Sequence, residues 1–348
     1  MKSRMQIGLA ATAVMIAGAM AQSARAADVV RWSLPSEEIT SFCLRESIAR
    51  HPNAGRFSLA RENIEVKTVK VSVSQNPVVV NQGDVNIGEC AGISVVTNAY
   101  NKGAHGIFIF AAGSVKPAYV IIAGKKFKTL KDLKGGKFAS PGPQSTAAEA
   151  IELVMRGAGM TAGKDYTFIS AGAGAARVAA LVAGRVEAIS TYSPLNYKLI
   201  EDGFNQVADE LDYVPDYVSG TMIANKAWAE KNPDVIVRIS RMLVKIGDWL
   251  LDPANKAEVV AWFAENYRVG RKPIGKAYAE KFYADMIARK RFTADGYADK
   301  AIYTKNLDIM ASRGFLKKEN YPDLSKLVDY GYLNKALASL KKPQVKTF

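Results

Sequence analysis

Residues 140–146 read Ser140-Pro141-Gly142-Pro143-Gln144-Ser145-Thr146, between a strand pattern at 137–139 and a helical pattern at 147–156. Two prolines and a glycine indicate a strand-to-helix turn, and the hydroxyl groups at its end are typical helix caps. The first N–H groups of the helix and the positive end of its dipole then face the space beyond the turn. Such a terminus can seat an anion, although capping without any ligand is the more common role of these residues.

The chain before this turn alternates between strand and helix patterns. Strands are predicted at 28–34 and 64–71, with a helix from Ser36 to Arg50 between them. A short helix and a turn into a third strand follow at 77–89. This order predicts a parallel α/β sheet, in which ligands bind beyond the carboxyl ends of the strands.

The chain after the turn continues the same alternation and then becomes helical. Further strands are predicted at 166–170, 186–190 and 219–224, with a helix at 175–183 after the first of them. The remaining chain is predicted to form helices at 233–251, 256–267, 275–289, 298–313 and 324–340. The sequence shows no internal repeat and no low-complexity segment.

The first 26 residues have the pattern of a secretory signal peptide. Lys2 and Arg4 precede an apolar segment at 7–21, and 24–26 reads Ala-Arg-Ala, a typical cleavage site. The formal net charge of +14 includes three positive residues of this leader, which leaves +11 for the mature chain. The basic residues are scattered and fit no nucleic-acid module, so they predict a solvated surface with some bias toward anions. The expected location is the periplasm.

Two cysteines, Cys43 and Cys90, are compatible with a disulfide in an oxidising compartment. Two separately buried thiols are the alternative, and the sequence leaves both open. With only two histidines, His51 and His105, a structural zinc site is not expected, and no cofactor site is predicted.

Four segments together resemble a known family. They read QGDVNIG at 82–88, LKDLKGGKFA at 130–139, ALVAGRVEA at 180–188 and ANKAWAEKNPD at 224–234. In this order the chain resembles solute-binding proteins of ABC importers with the type II periplasmic binding fold. The nearest group is similar to the nitrate, sulfonate and taurine binders and to the thiamine-pyrimidine-synthase proteins. Asn86 and Glu187 stand where the family usually has Asp.

The resemblance implies two lobes that close on a ligand. The first lobe would comprise 27–118 and 222–348, and the second 119–221, each with a mostly parallel sheet flanked by helices. Crossings near 118–121 and 218–222 would act as the hinge, and the C-terminal region would be helical. The implied partners are a small solute and the permease and ATPase of an ABC transporter, with a monomeric protein and no nucleic acid.

The candidate ligand-binding residues are those predicted at strand ends that face the cleft. The second lobe offers the anion seat and an aromatic wall, from Gln144, Ser145, Thr146, Tyr192 and Ser193; the first lobe offers Ser33, Ser36, Glu89 and Cys90. A carboxylate at Glu89 would repel an anion, so it favours a zwitterion or a neutral nitrogen heterocycle. The alternative is that Glu89 faces a helix end or Arg45 and contacts no ligand.

Enzyme classes receive little support. The segment at 170–176 could be a dinucleotide-binding turn, but Arg177 occupies the position of the third glycine. No nucleophile elbow is present, and neither histidine has a recognisable nucleophile partner. The predicted function is therefore the periplasmic substrate-binding component of an importer for a small anionic or zwitterionic solute, such as a sulfonate, a taurine-like solute or a carboxylate. A binder of a pyrimidine or thiamine-precursor heterocycle, and a ligand sensor for a membrane receptor, are the alternatives.

Overall fold

Two mixed sheets, built from short strands, organise the computed structural model of this chain. It describes residues 26–35, 39, 41–143, 145–172 and 174–348, so the predicted signal peptide lies almost wholly outside the described residues. The strands are β1 Asp28–Leu34, β2 Ile64–Lys70, β3 Ile87–Ala91, β4 Ile107–Ser114, β5 Tyr119–Ala123, β6 Lys137–Ser140, β7 Thr167–Ser170, β8 Ala188–Tyr192, β9 Asn205–Asp209, β10 Gly220–Asn225, β11 Arg268–Val269 and β12 Lys272–Pro273.

Helices flank both sheets. They are α1 Leu44–Ala49, α2 Asn76–Gln82, α3 Ile93–Asn101, α4 Thr146–Gly157, α5 Gly174–Val182, α6 Leu195–Glu201, α7 Lys226–Lys231, α8 Pro233–Leu251, α9 Lys256–Asn266, α10 Gly275–Ala288, α11 Lys300–Ser312, α12 Leu324–Leu327 and α13 Gly331–Ser339. Among the residues that the structure describes, no helix has both the length and the apolar character that a membrane span requires.

Within the described part of the chain, each large sheet has five strands. The first sheet, which defines the first lobe, has the order β2-β1-β3-β10-β4, and the second sheet, which defines the second lobe, has the order β7-β6-β8-β5-β9. In each sheet one strand is antiparallel to both of its neighbours: β10 in the first and β5 in the second. Strands β1, β2 and β3 are parallel, as are β6, β7 and β8. The predicted α/β class with two lobes is confirmed.

The chain passes between the two sheets twice, after β4 and again before β10. The two crossings run side by side, because the Tyr217 amide donates to the Val115 carbonyl at 3.2 Å and the Ser219 amide donates to the Ser114 carbonyl at 3.1 Å. A Lys116–Asp216 ion pair with a 2.6 Å separation also joins them. Two short connections side by side are the arrangement expected of a hinge.

The C-terminal helices complete the first lobe. Buried residues of α8, including Ile236, Ile239 and Leu243, recur at helical spacing and share a core with Trp32 of β1. Helices α9 and α10 join this core, whereas α11 and α13 cover the other side of the same sheet. The basic segment after Pro233 is therefore integral to the first lobe.

The predicted element boundaries differ from the structure at three places. The helix predicted from Ser36 to Arg50 is described only at Leu44–Ala49, and Cys43 before it has a non-helical backbone (φ −134°, ψ 58°) and is disulfide-bonded. The helix predicted at 324–340 is two helices, since Val328 pairs with Ile109 of β4 and interrupts the helical hydrogen bonds. Strand β9 was not predicted; it is short and polar and pairs only with β5, at the sheet edge.

Candidate functional site

Three aromatic rings meet where the two lobes face each other. Tyr119 begins β5 and Tyr192 ends β8, and the antiparallel register pairs these residues directly. Phe42 comes from the first lobe, with its ring centroid 5.0 Å from that of Tyr119 and 4.7 Å from that of Tyr192. The Tyr119 and Tyr192 centroids are 6.0 Å apart. We call these three residues the aromatic trio; they give the cleft an apolar wall to which both lobes contribute.

The predicted anion seat lies beside the trio, at the start of α4. The Ser145 hydroxyl caps this helix, accepting from the Ala148 amide at 3.2 Å, and donates to the Gly142 carbonyl at 2.7 Å. The Thr146 hydroxyl lies 3.3 Å from the Tyr119 hydroxyl. The helix has 12 residues, so its N-terminus carries the partial positive charge that favours an anion.

A buried guanidinium adds a full positive charge to the same place. Arg177 of α5 is 3% exposed, and its Nε donates to the Ser190 carbonyl at 3.1 Å. Burial raises the pKa of the Tyr119 hydroxyl, and the nearby Arg177 charge opposes that rise. Sequence reasoning treated Arg177 only as a residue that spoils a dinucleotide turn, and so missed this role. The α4 terminus, Arg177 and the hydroxyls of Tyr119 and Thr146 form what we call the anion seat.

A cavity of about 820 Å³ opens at the turn before α4. The second lobe contributes the turn itself and Gly172, while the first lobe contributes the segment after β2 and one side of α2 and α3. Its volume is within the range of small-molecule sites. Ser145 is the predicted ligand-binding residue of the described chain that lines it.

The other predicted residues have diverse positions. The Ser33 hydroxyl is buried and donates to Asn76 Oδ1 at 2.7 Å, and Ser193 is buried at the end of β8. Ser36 and Gln144 lie outside the described residues. For all four of these residues, a contact with the ligand stays a prediction.

Glu89 is buried on β3 next to α1, and Cys90 after it is half-buried. The Glu89 carboxylate accepts from Arg50 Nε at 2.8 Å, Trp32 Nε1 at 2.9 Å and Ser47 Oγ at 3.0 Å. Cys90 forms a disulfide with Cys43. The structure thus gives Glu89 a cationic partner inside the protein, close to the alternative that the sequence left open, although the partner is Arg50 and not Arg45.

Buried polar contacts hold the lobes together beside the anion seat. Arg313, which follows α11 of the first lobe, donates to Glu149 at 2.6 Å and to Glu152 at 2.8 Å, both on α4 of the second lobe. The Ser94 hydroxyl at the start of α3 also donates to Glu149, at 3.0 Å. Burial raises the pKa of Glu149, and the Arg313 charge opposes that rise. We call this group the clasp, because it joins α4 to the first lobe.

Comparison with known families decides the classification. A family model described as NMT1-like matches residues 65–264, which is more than half of the chain. The chain belongs to the NMT1-like family. The suspected relationship to nitrate and sulfonate binders is thereby supported. No curated protein matches this NMT1-like chain by sequence.

Solved structures share the fold of this NMT1-like protein. The alkanesulfonate-binding protein SsuA from Xanthomonas axonopodis pv. citri, bound to MOPS, is 20% identical, with a TM-score of 0.66 over 87% of this chain and 98% of its own. The periplasmic nitrate-binding protein NrtA from Synechocystis PCC 6803 is 14% identical, with a TM-score of 0.66 over 91% and 90%. The desulfurization enzyme DSZB is 13% identical, with a TM-score of 0.61 over 90% and 99%. Since binding proteins and an enzyme share it, the fold alone does not fix the function.

Proposed function

We propose that this protein is the periplasmic substrate-binding component of an ABC importer and captures a small anionic or zwitterionic organic solute. The first lobe (27–118 and 222–348) and the second lobe (119–221) would close on the solute and present it to a permease and its ATPase. The family, the leader pattern and the likeness to sulfonate-binding and nitrate-binding proteins support this proposal. The protein would act as a receptor and carry out no chemistry on the solute.

The anion seat is the observation on which the proposal depends. A buried guanidinium and a helix N-terminus are both complementary to a carboxylate or sulfonate, and they reinforce each other where water is excluded. The adjoining aromatic trio offers apolar contact to the body of the solute. A ligand that touches Phe42 from one lobe and Arg177 from the other gains its full binding energy only when the lobes are closed.

Substitutions in the seat test this function. Arg177→Gln and Thr146→Val should each weaken binding of the retained or best-binding anion by about 10-fold to 100-fold, because each removes a hydrogen bond to a charged group. Titration calorimetry measures the dissociation constants, and thermal unfolding confirms that the variants are folded. If both variants bind the anion as tightly as the wild-type protein, the seat is elsewhere.

A matched control variant separates the loss of a helix cap from the loss of a ligand contact. Ser145→Ala removes a helix cap beside the seat, whereas Asp299→Ala removes the cap of α11, where the carboxylate accepts from the Ile302 amide at 2.9 Å. Each change should cost about 1 kcal/mol of folding stability. Only Ser145→Ala should also weaken anion binding, so equal dissociation constants for the two variants would contradict the assignment.

A second candidate function is the binding of a planar heterocycle, such as a pyrimidine or thiamine precursor. The aromatic trio favours it, because rings from both lobes meet at the cleft and offer aromatic surface on which a flat ligand can stack. A neutral pyrimidine included in the calorimetry tests this candidate. Tight pyrimidine binding that survives Arg177→Gln would favour it over the anion.

A further inference from the structure

A second buried guanidinium, that of Arg291, lies in the first lobe. Its side chain is 1% exposed, and its Nη2 donates to Asp285 Oδ2 at 3.0 Å. Its Nε and Nη1 have no hydrogen-bond partner among the described residues. Leaving the donors of a buried cation unpaired is costly, so such an arrangement requires an explanation.

Three further buried hydroxyl groups are also unpartnered within the described chain. They belong to Ser41, Tyr197 and Tyr267. Burial raises the pKa of both tyrosines, that of Tyr197 to about 12, and the Arg291 charge opposes the rise at each. Ser41 lies close to Tyr267, and Ser193 lies close to Tyr197, but neither pair has hydrogen-bonding geometry. The four side chains therefore form one buried group, which we call the tyrosine–arginine cluster.

This cluster adjoins the ligand cleft. Ser41 immediately precedes Phe42, whose ring packs against Tyr119 and Tyr192 of the other lobe. Tyr192 interacts electrostatically with Tyr267. Tyr197 lies on α6 of the second lobe and packs edge-on against Tyr278 of α10, with ring centroids 5.5 Å apart. The cluster thus draws on both lobes, and the aromatic trio connects it to the anion seat.

We propose that the tyrosine–arginine cluster binds a second oxyanion group of the same solute, which is then a small dianion such as a dicarboxylate or a sulfocarboxylate. This inference rests on the proposed function. The unpartnered Nε and Nη1 atoms of Arg291 are two charge-assisted donors, and each can donate a hydrogen bond to an oxygen of a carboxylate or sulfonate. The two tyrosine hydroxyls and Ser41 supply further donors for the same oxygens. The aromatic trio contacts the segment between the two acidic groups.

The test compares matched anions. Calorimetry is run with the α,ω-dicarboxylates from succinate to adipate and with 3-sulfopropanoate, each against the monoanion that lacks one acidic group. The wild-type protein should bind at least one dianion about 10-fold to 100-fold more tightly than its matched monoanion. The double variant Tyr197→Phe/Tyr267→Phe should lose most of this preference but keep its affinity for the monoanion.

Stability distinguishes a ligand site from a structural cluster. Removing two unpartnered buried hydroxyls should leave the melting temperature of the ligand-free protein unchanged or raise it, while dianion affinity falls. Tyr303→Phe is the control, because the buried Tyr303 hydroxyl lies 3.1 Å from that of Tyr330. That variant should lose stability and keep the dianion preference. Arg291→Gln should abolish the preference where it folds.

The outcomes separate this inference from the proposed function. Equal binding of monoanions and dianions, with the monoanion still sensitive to Arg177→Gln, would overturn the second subsite and leave the receptor proposal standing. Monoanion binding that is lost in the tyrosine variant but unaffected by Arg177→Gln would also overturn it, because a single anion would then occupy the cluster. If no anion or zwitterion binds the wild-type protein, both proposals fail.

Discussion

Arg313 and Arg291 are equally buried, yet their surroundings differ. The Arg313 side chain is 0% exposed and donates to Glu149 at 2.6 Å, to Glu152 at 2.8 Å and to the Pro143 carbonyl at 2.8 Å. Arg291 is 1% exposed and donates to Asp285, and two of its nitrogen atoms are unpartnered in the described chain. Its carboxylate partner is also shared with Arg289.

The difference indicates two uses of the same side chain. The protein itself satisfies all of the nitrogen atoms of Arg313, so that residue can serve folding and lobe contact without a ligand. At Arg291 the protein leaves two charge-assisted donors, Nε and Nη1, without an acceptor in the described chain. Burial alone therefore does not distinguish an arginine that stabilises the fold from one that binds a ligand. The number of N–H donors without an acceptor in the protein does distinguish them.

The largest effect is expected from Arg313→Gln. This change leaves Glu149 buried without its cation, and loss of one partner of such a pair typically costs about 3–5 kcal/mol. Chemical denaturation measures the free energy of unfolding, and small-angle scattering should show a larger radius of gyration because the clasp is broken. Arg291→Gln is the matched control and should cost less, since Asp285 keeps Arg289. A smaller loss for Arg313→Gln than for Arg291→Gln would contradict the comparison.

Removal of the disulfide is expected to have the next largest effect. Cys43 and Cys90 are 47 residues apart, and a loop of that length corresponds to about 2–4 kcal/mol of stabilisation. Cys43 directly follows Ser41 and Phe42, so its release should also loosen the tyrosine–arginine cluster. Cys43→Ala/Cys90→Ala should therefore reduce dianion affinity as well as stability, measured by calorimetry and denaturation. Unchanged affinity would separate the disulfide from the cluster.

The pKa of Glu210 depends on charges in both the clasp and the tyrosine–arginine cluster. Burial raises its pKa to about 8 from 4.5, with Glu149 raising it further and Arg291 opposing the rise. Between pH 4.5 and 8 the folded protein keeps a proton that the unfolded chain has lost, so stability falls as pH rises through this window. Glu210→Gln should remove this part of the pH dependence. The free energy of unfolding should then fall by about 1–2 kcal/mol less between pH 6 and 8 than in the wild-type protein.

The direction in which the Glu210 pKa changes in two variants tests the same electrostatic link more directly. In an NMR titration, Arg291→Gln should raise the pKa of Glu210, and Glu149→Gln should lower it. Glu46, whose pKa burial raises to about 7, contributes a similar pH dependence and is kept unchanged in all variants. Shifts of the same sign in the two variants would show that Glu210 does not lie between the two regions electrostatically.

The smallest effect is expected from Ser94→Ala. Its hydroxyl donates to Glu149 at 3.0 Å, and a buried hydrogen bond of this kind contributes about 1–2 kcal/mol. Stability should fall by that amount while anion affinity is almost unchanged, because Arg313 still pairs with Glu149. An affinity loss as large as that of Arg177→Gln would place Ser94 in the seat and not in the clasp.

The sequence predicted the fold more completely than the site. Hydrophobic periodicity located most strands and helices, and the turn at 140–146 correctly placed the start of α4. The site depends on residues such as Arg177, Phe42 and Arg291, which no local sequence motif identifies as functional. These residues come together only through the two crossings and the packing of the C-terminal helices. Glu89 shows the converse, since its strand-end position suggested a ligand but its side chain faces Arg50.

The most direct test of the account is native mass spectrometry of the mature protein, purified gently from the cells that produce it. A bound ligand at 100 times its dissociation constant adds about 2.7 kcal/mol of stability, so thermal unfolding with the added ligand confirms the identification. The expected result is a retained small organic acid with two acidic groups, which is absent from the Arg177→Gln protein. A wild-type protein that retains no small molecule, and that no organic anion stabilises against heat, would contradict the account.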